Sequence, residues 1–260
     1  MSDGDEAQGL RRLEVSRHGV AAEDLVAVEA PVALVLNGIS HAVMLATPCE
    51  LEAFALGFAL SEGLLASRAE CYGIDVAEAA DGRYEVRLEV AAAAEMRMKE
   101  RRRALAGRTG CGLCGIESLA ALDLAPAPLV DPRPVDPAAI ARALAQLPER
   151  QLLNRRSGAH HAAAWAAPDG ALAEVMEDVG RHNALDKLLG ARLRAGADLR
   201  DGFVLMTSRA SSELVLKTVR LGVPGLATIS APTSLAVDLA RRCGAQLYGF
   251  CRGDAAVRYA

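Results

Sequence analysis

The sequence predicts an α/β protein, with a smaller N-terminal α+β domain followed by an α/β/α sandwich built on a mixed sheet. Helical and extended patterns alternate along residues 138–260, which is typical of a sheet covered by helices. Residues 126–137 contain five prolines, which no helix or central strand accommodates. We therefore predict domains at 1–125 and 138–260, with a linker at 126–137.

The N-terminal half combines extended and helical patterns. Residues 25–36 form two apolar runs and lead into an Asn-Gly dipeptide, which is favoured in tight hairpins. Residues 47–50 predict a helix start, with Thr47 as the cap and Glu50 completing a capping box. The strict alternation of residues 84–90 predicts a half-buried strand.

The second half is predicted to alternate helices with strands. We predict helices at 138–147, 181–195, 212–221 and 234–243, and strands at 161–166, 172–177, 203–207, 226–229 and 246–250. Ligands favour the carboxyl ends of strands in such sheets. Polar residues that follow a strand are therefore candidate site residues.

Polar turns follow two of these strands. Ser208, Arg209 and Ser211 come after the strand at 203–207, and Ser230 follows the strand at 226–229. Hydroxyls, helix-start amides and a guanidinium suit a phosphate group. Serine and threonine also cap ordinary helices, so both interpretations stay open.

Residues 177–187 form a third polar group. Leucines at 185, 188 and 189 predict the buried stripe of a helix, while His182 and Asp186, four residues apart, are predicted to share a more polar face. His182 is thus a candidate ligand residue, although a histidine near a helix start is often structural.

A Cys-x-x-Cys pair, Cys111 and Cys114, lies in the glycine-rich run 110–115. Residues 97–108 just before it contain six Lys or Arg against one acid, and such positive charge lowers the pKa of a thiol. We therefore expect a reactive thiolate. Structural zinc needs two more ligands at short spacing, and the remaining cysteines are isolated, so no resident metal is expected.

Composition narrows the classes of partner. A net charge of −4 and 3% aromatic residues offer little attraction to nucleic acid. No apolar run reaches the roughly 18 residues that indicate a membrane span. Since no secretory signal is visible, we expect a cytoplasmic protein with reduced thiols and no structural disulfide.

Three segments carry a family resemblance. Residues 104–115 read ALAGRTGCGLCG, residues 177–187 read EDVGRHNALDK and residues 208–211 read SRAS. In this order and spacing they resemble the formate dehydrogenase accessory sulfurtransferase family, FdhD. The resemblance implies a carrier that takes sulfane sulfur from a cysteine desulfurase and delivers it to the bis-molybdopterin guanine dinucleotide cofactor of formate dehydrogenase.

The resemblance also assigns residues. Cys111 matches the persulfide-forming cysteine and Cys114 its partner in the motif. It implies a cytidine-deaminase-like fold, a homodimer, and a site for the cofactor, or for a guanine nucleotide such as GDP, at the carboxyl edge of the second domain. The residues expected there are the matching segment Phe250, Cys251, Arg252, Gly253, Asp254 and Ala255, joined by His182, Ser208, Arg209 and Ser230.

Two other function classes stay open. A zinc-binding adaptor without sulfur chemistry would hold one tightly bound zinc per chain. A nucleotide-processing enzyme would turn over free nucleotides with both cysteines of the pair replaced. Zinc deaminase chemistry is disfavoured, because the single Pro-Cys, Pro48-Cys49, lacks the second cysteine of a Pro-Cys-x-x-Cys.

Overall fold

The computed structural model describes residues 9–105 and 126–260, and in that part all side chains except those of 100–105. Three sheets form within these residues, two of them in the N-terminal half. The first is a hairpin in which β1 (Leu10–Arg17) pairs with β2 (Val20–Ala27).

The second sheet has the strand order β4-β3-β6-β5 in the described part of the chain. Its strands are β3 (Ala30–Leu36), β4 (Ile39–Ala46), β5 (Cys71–Glu78), which a 3-10 turn at Arg68–Glu70 precedes, and β6 (Tyr84–Val90). Between β3 and β4, Asn37 and Gly38 both have positive φ, +47° and +75°. A tight hairpin turn of this kind requires that conformation, so the predicted hairpin is confirmed.

Two helices accompany this sheet, α1 (Leu51–Ser61) and α2 (Ala92–Leu105). Phe54 of α1 packs with Leu34 and Leu88 in a core between the helix and one sheet face. The Asn37 side chain donates to the Val90 carbonyl (2.9 Å) and to Glu95 Oε2 (3.0 Å). These bonds fix the start of α2, the helix that precedes Cys111 in the sequence, on the hairpin.

The third sheet and its helices form the second half of the chain. The helices are α3 (Pro137–Arg150), α4 (Asn154–Ser157), α5 (Arg181–Arg194), α6 (Ser212–Arg220) and α7 (Ser234–Cys243). The strands are β7 (His161–Ala166), β8 (Leu172–Asp178), β9 (Phe203–Met206), β10 (Gly225–Thr228), β11 (Gln246–Arg252) and β12 (Ala255–Arg258). The order is β12-β11-β10-β9-β7-β8. Strands β9, β10 and β11 are parallel and the other pairs antiparallel, which confirms the predicted mixed sheet.

Helices cover both faces of this sheet. Ala163 and Trp165 of β7 pack in one core with α5, α6 and α7, whereas Ala164 packs in a second core with α3. Alternate residues of a strand point to opposite faces, so the two cores lie on opposite sides. The result is the α/β/α arrangement that the sequence predicts.

Helices α1 and α5 approach each other closely at two glycines. A Cβ added to Gly57 would lie 1.8 Å from the Asp186 carbonyl oxygen, and one added to Gly190 would lie 1.9 Å from the Ala53 carbonyl oxygen. No real side chain fits at such distances. The α1–α5 contact therefore joins the N-terminal half to the second half through direct backbone packing.

The expected cap on α1 is wrong. The helix begins at Leu51 after Glu50, which has a positive φ of +52° and makes no side-chain cap bond among the described residues. Thr47 instead donates its backbone N–H to Asp178 Oδ2 (3.0 Å) and accepts from the Val179 N–H (3.2 Å). Contacts with the second half of the chain thus replace the local cap.

A buried ion pair also lies at the contact between the two halves of the chain. Lys187 and Asp178 are both fully buried, with Nζ 2.7 Å from Asp178 Oδ2, and Lys187 also donates to the Thr47 carbonyl (2.9 Å). Asn183 donates to the Leu45 carbonyl at 2.8 Å. Residues of the 177–187 segment therefore fasten the two halves of the chain together.

The expectation that His182 and Asp186 share a polar face is also wrong. Asp186 is fully buried and accepts from Ser61 Oγ (2.7 Å) and from Lys217 Nζ (2.9 Å). The helix turns Asp186 inward because α1 and α6 supply these partners. Of the two residues, only His182 remains near the sheet edge.

Candidate functional site

The site residues predicted after strands fall on a single edge of the third sheet. Strands β8, β9, β10 and β11 all run in one direction, because β8 and β9 are each antiparallel to β7. Their carboxyl ends therefore lie together, beside the start of β7. With adjacent strands about 4.8 Å apart, this edge spans about 19 Å from β8 to β11. We call it the carboxyl edge.

The turns after β9 and β10 are hydrogen-bonded to each other. The Ala210 N–H donates to the Ala231 carbonyl (3.2 Å), and the Thr233 N–H donates to the Ala210 carbonyl (3.0 Å). Thr233 caps α7 in the ordinary way, accepting from the Ala236 N–H at 3.3 Å. Ser211 precedes α6 but makes no such cap bond in the described structure, so its hydroxyl is available for another partner.

His182 meets the turn after β9. Its Nε2 lies 2.8 Å from Glu213 Oε2 and 3.4 Å from Ser211 Oγ. The hydrogen bond with His182 holds the pKa of Glu213 below its usual value, which keeps this carboxylate ionised and able to orient the imidazole. The structure thus brings His182 together with Ser211 and Glu213, at the end of the carboxyl edge near β8.

Arg181 adds positive charge to this end of the edge, and His161 adds an imidazole ring. Arg181 Nε is buried and finds no hydrogen-bond partner among the described residues. Burial lowers the pKa of His161, and the nearby Arg181 charge adds to that effect. An unsatisfied buried donor calls for a partner, and an anionic or carbonyl group of a ligand would supply one.

Ser208, Arg209 and Ser230 lie on the two turns, but their side chains differ in access. Ser208 is buried and donates to the Arg209 carbonyl (3.1 Å), whereas Arg209 is exposed. The Ser230 carbonyl accepts from the Phe250 N–H at 3.2 Å. Ser208 therefore supports the turn from inside, while Arg209 can reach a ligand.

The segment Phe250–Ala255 forms the other end of the carboxyl edge. It contains the end of β11 and the start of β12, with Gly253 at a φ of +57° in the turn between them. Arg252 is exposed and donates Nε to the Ile229 carbonyl at 3.3 Å, and Asp254 and Ala255 are exposed as well. Backbone and side chains of this segment, except that of Cys251, are accessible.

Cys251 points away from the edge. Its side chain is fully buried in the core under α3, and burial raises the pKa of its thiol to about 11. Only the backbone of Cys251, and not its sulfur, can therefore contribute to the predicted cofactor segment. Among the described residues, no group of His, Cys, Asp and Glu side chains is arranged to hold a metal ion.

This burial gives a testable contrast in thiol reactivity. At pH 8, only about one Cys251 thiol in a thousand would be ionised, and Cys71 and Cys243 are also buried with raised pKa values. We expect iodoacetamide to leave these three cysteines unmodified in the native protein and to modify Cys111 first, as peptide mass spectrometry would show. Equal labelling of Cys251 in native and urea-unfolded protein would contradict this.

Cys111 and Cys114 lie outside the described residues. The basic stretch before them is only partly described, on α2. Arg97 pairs with Glu70, and Lys99 pairs with Glu95. These two cations are therefore already compensated, and the positive field expected at Cys111 rests on the other basic residues of the stretch.

Sequence reasoning missed Arg181, Glu213 and the two contact glycines. Glu213 sits in the first turn of α6 and meets His182 only through tertiary packing. The glycines had a visible signal, because α1 is apolar around almost its whole circumference. Such a helix is buried on more than one side, and a glycine within it marks a close neighbour.

Within residues 9–105 and 126–260, no helix is both long and apolar enough to cross a membrane.

Comparison with known proteins identifies close relatives over the full length. The FdhD/NarQ family model matches residues 27–260. A protein of Chromobacterium violaceum named sulfur carrier protein FdhD is 57% identical over 267 residues, covering 100% of this chain and 98% of its own. A protein of the same name from Burkholderia cenocepacia is 52% identical, covering 98% and 95% of the two chains.

A solved structure shares the fold. It is the crystal structure of a protein from Desulfotalea psychrophila, described as a formate dehydrogenase accessory protein, at 25% sequence identity and a TM-score of 0.70. The alignment covers 96% of this chain and 95% of that one. Both halves of the molecule are thus part of the shared fold.

Proposed function

The chain belongs to the FdhD/NarQ family, and on that premise we propose that it is a sulfur carrier serving formate dehydrogenase. It takes sulfane sulfur from a cysteine desulfurase as a persulfide on Cys111 and delivers it, in the cytoplasm, to the bis-molybdopterin guanine dinucleotide cofactor. The observation that carries the proposal is the full-length match to relatives named sulfur carrier protein FdhD.

Loading of Cys111 is a displacement at sulfur. The Cys111 thiolate attacks the terminal sulfur of the donor's persulfide, so a new S–S bond forms while the donor's S–S bond breaks. The donor cysteine leaves as a thiolate, and no net oxidation or reduction takes place. Cys114, two residues on, supplies a second thiol that can protect the persulfide or assist its release.

The carboxyl edge supports the acceptor part of the proposal. The cofactor, here the substrate that receives sulfur, is an elongated molecule with anionic phosphates and planar heterocycles. The edge spans about 19 Å and offers an exposed ring at Phe250 near β11 and a basic group at Arg181 and His182 near β8. These residue types match both kinds of chemical group.

The proposed partners follow from the same premise. They are a cysteine desulfurase as donor, a formate dehydrogenase as recipient, and a second copy of this chain in a homodimer. No nucleic-acid partner is proposed, because the chain has a net charge of −4.

Mass spectrometry tests the persulfide directly. The protein is incubated with a cysteine desulfurase and cysteine, and its peptides are then analysed without reductant. We expect a gain of about 32 Da, one sulfur atom, on the peptide that contains Cys111. The Cys111→Ala variant is expected to lose this adduct and to fail to restore formate oxidation in cells lacking the native gene.

Cys49→Ala serves as the matched control, because Cys49 is a half-buried cysteine with a raised pKa that does not belong to the Cys-x-x-Cys pair. It is expected to retain the adduct on Cys111. An adduct that persists in Cys111→Ala, or formate oxidation fully restored by that variant, would overturn the carrier proposal.

A further inference from the structure

An exposed tyrosine lies at a bulge on an edge strand of the second sheet. The pairing of β5 with β6 shifts register between Cys71 and Gly73, so Tyr72 between them has no partner on β6. An extra residue of this kind is a β-bulge, and bulges at sheet edges often redirect a side chain. Tyr72 is 71% exposed, whereas Cys71 is buried in the core. The bulge therefore presents the tyrosine ring to solvent.

Contacts on both sides hold the bulge in this form. Before it, Arg68 donates from Nη1 to the Cys71 carbonyl at 2.7 Å, and the Ala91 N–H donates to the Glu70 carbonyl at 2.8 Å. After it, Ile74 packs against the core. Because the flanking residues are anchored, the fold itself holds the ring at the surface, and a partner does not have to order this segment on binding.

The ring borders a groove of about 820 Å³ at this corner of the sheet. Gly38 of the hairpin turn and Gly73 of β5 line the groove without side chains, which leaves it open. Asn37 lines it as well, and the Asn37 side chain also binds Glu95 in the first turn of α2 at 3.0 Å. The groove therefore borders the start of the helix that precedes Cys111 in the sequence.

The sheet face beside the groove is acidic. Register and alternation place four charged side chains together on the face opposite the core, namely Asp75, Glu85, Arg87 and Glu89. Three carboxylates against one guanidinium leave a net charge of −2. Arg87 pairs with Asp75 (3.6 Å) and Glu85 (2.6 Å), whereas Glu89 makes no ion pair within the described residues. We call Tyr72 and these four residues the bulge surface.

The composition of the bulge surface matches that of a protein interface. An accessible tyrosine with a charged, polar rim is typical of such interfaces, and a tyrosine often contributes much of the binding free energy. The acidic rim favours a partner that presents basic side chains, because opposite potentials steer the encounter and fix the orientation.

The position of the bulge surface selects between the two proteins that a sulfur carrier must meet. The acceptor is proposed to bind at the carboxyl edge of the third sheet, whereas the bulge surface lies on the second sheet, next to the start of α2. Resting on the function proposed above, we propose that the bulge surface docks the persulfide donor, a cysteine desulfurase. The desulfurase presents basic side chains to the acidic rim, and the Tyr72 ring is the anchor of the contact.

Calorimetric titration of the full chain with a purified cysteine desulfurase tests the docking. Tyr72→Ser removes the ring from an exposed position, so we expect the fold to be retained and binding to be at least about 10-fold weaker. Tyr72→Phe keeps the ring and is expected to bind within about threefold of wild type. Val20→Ser removes an exposed apolar side chain from the hairpin of β1 and β2, and it is expected to bind like wild type.

The charge of the bulge surface is tested with a second variant. Glu89→Lys is expected to weaken binding by about 3- to 10-fold. It is also expected to reduce the dependence of binding on salt between about 50 and 200 mM, because fewer opposite charges then meet across the interface. Glu149→Lys reverses an exposed charge on α3 and is the matched control, with binding expected to equal that of wild type.

Loading kinetics separate docking from the chemistry of the thiol. With the desulfurase well below its dissociation constant, persulfide formation on Cys111 is expected to slow in Tyr72→Ser by the same factor as binding. With saturating desulfurase, the rate is expected to match wild type. Glutathione persulfide, a small donor that needs no protein contact, is expected to load Cys111 equally fast in both proteins.

The outcomes separate this inference from the function on which it rests. Absence of desulfurase binding to wild type, wild-type affinity in Tyr72→Ser or in Glu89→Lys, or slower loading by glutathione persulfide would overturn the docking assignment. Weaker binding of Tyr72→Ser to formate dehydrogenase, with desulfurase binding intact, would overturn it as well. Absence of the Cys111 adduct in wild type, with the desulfurase bound at this surface, would overturn the carrier function alone.

Discussion

Gly190→Ala is expected to lower the free energy of unfolding by about 3 kcal/mol or more. The added Cβ would lie 1.9 Å from the Ala53 carbonyl oxygen of α1, and backbone atoms cannot move aside as a side chain can. Helix propensity alone predicts the opposite sign, since alanine is favoured over glycine within a helix by about 1 kcal/mol. Urea unfolding followed by circular dichroism measures which effect dominates.

Gly73→Ala is the matched control for this change. Gly73 lies in β5, where the nearest atom to an added Cβ is Glu89 Oε2 at an ordinary 3.5 Å, so little loss of stability is expected. Gly57→Ala should behave like Gly190→Ala, because its Cβ would meet the Asp186 carbonyl oxygen at 1.8 Å. Wild-type or greater stability in Gly190→Ala would show that α1 and α5 do not pack as described.

Lys187→Met is expected to lower the free energy of unfolding by about 3–5 kcal/mol. The methionine fills much of the same volume, but it leaves the Asp178 carboxylate fully buried without its cation, 2.7 Å away in the native protein. Uncompensated buried charge is costly, whereas removing both charges together costs much less. Asp178→Asn in combination with Lys187→Met should therefore recover part of the loss in the same urea unfolding measurement.

Lys99→Met provides the comparison at the surface. Lys99 pairs with Glu95 one turn earlier on α2 and is about half exposed, so its loss should cost about 0.5 kcal/mol or less. Equal losses in the free energy of unfolding at Lys99 and Lys187 would mean that Lys187 is solvated in solution. That result would contradict its burial between the two halves of the chain.

Local pattern predicted the second half of the chain well. The strand at 161–166 is observed as β7 (His161–Ala166), and the helix predicted at 234–243 is observed as α7 (Ser234–Cys243). These elements carry apolar residues with a clear period and have punctuating residues at their ends. The hairpin of β1 and β2 was not predicted, because its residues are mostly exposed or half-buried and each strand has two adjacent like charges, which break an apolar–polar alternation.

Tertiary contacts determined the features that local sequence patterns did not predict. The capping signal at Thr47 is real in local terms, yet Asp178 and Val179 compete for the same groups. Spacing placed His182 at a candidate site, but nothing local connects it with Glu213, thirty-one positions later in the chain. Residue type and order predicted which edge of the sheet is the candidate site, while pairing across elements determined which side chains lie there.

Residues 177–187 contain both buried contacts between the two halves of the chain and part of the candidate site. Loss of function after a substitution in this segment can therefore have two different causes. Inactivity after replacing Asp178 or Lys187 would report a loss of folding, because both side chains are fully buried between the two halves of the chain. Within this motif, the first turn of α5, with Arg181 and His182, is the part that would report on the proposed ligand binding. Phenotypes within a single contiguous motif should therefore be sorted by folding measurements before they are assigned to chemistry.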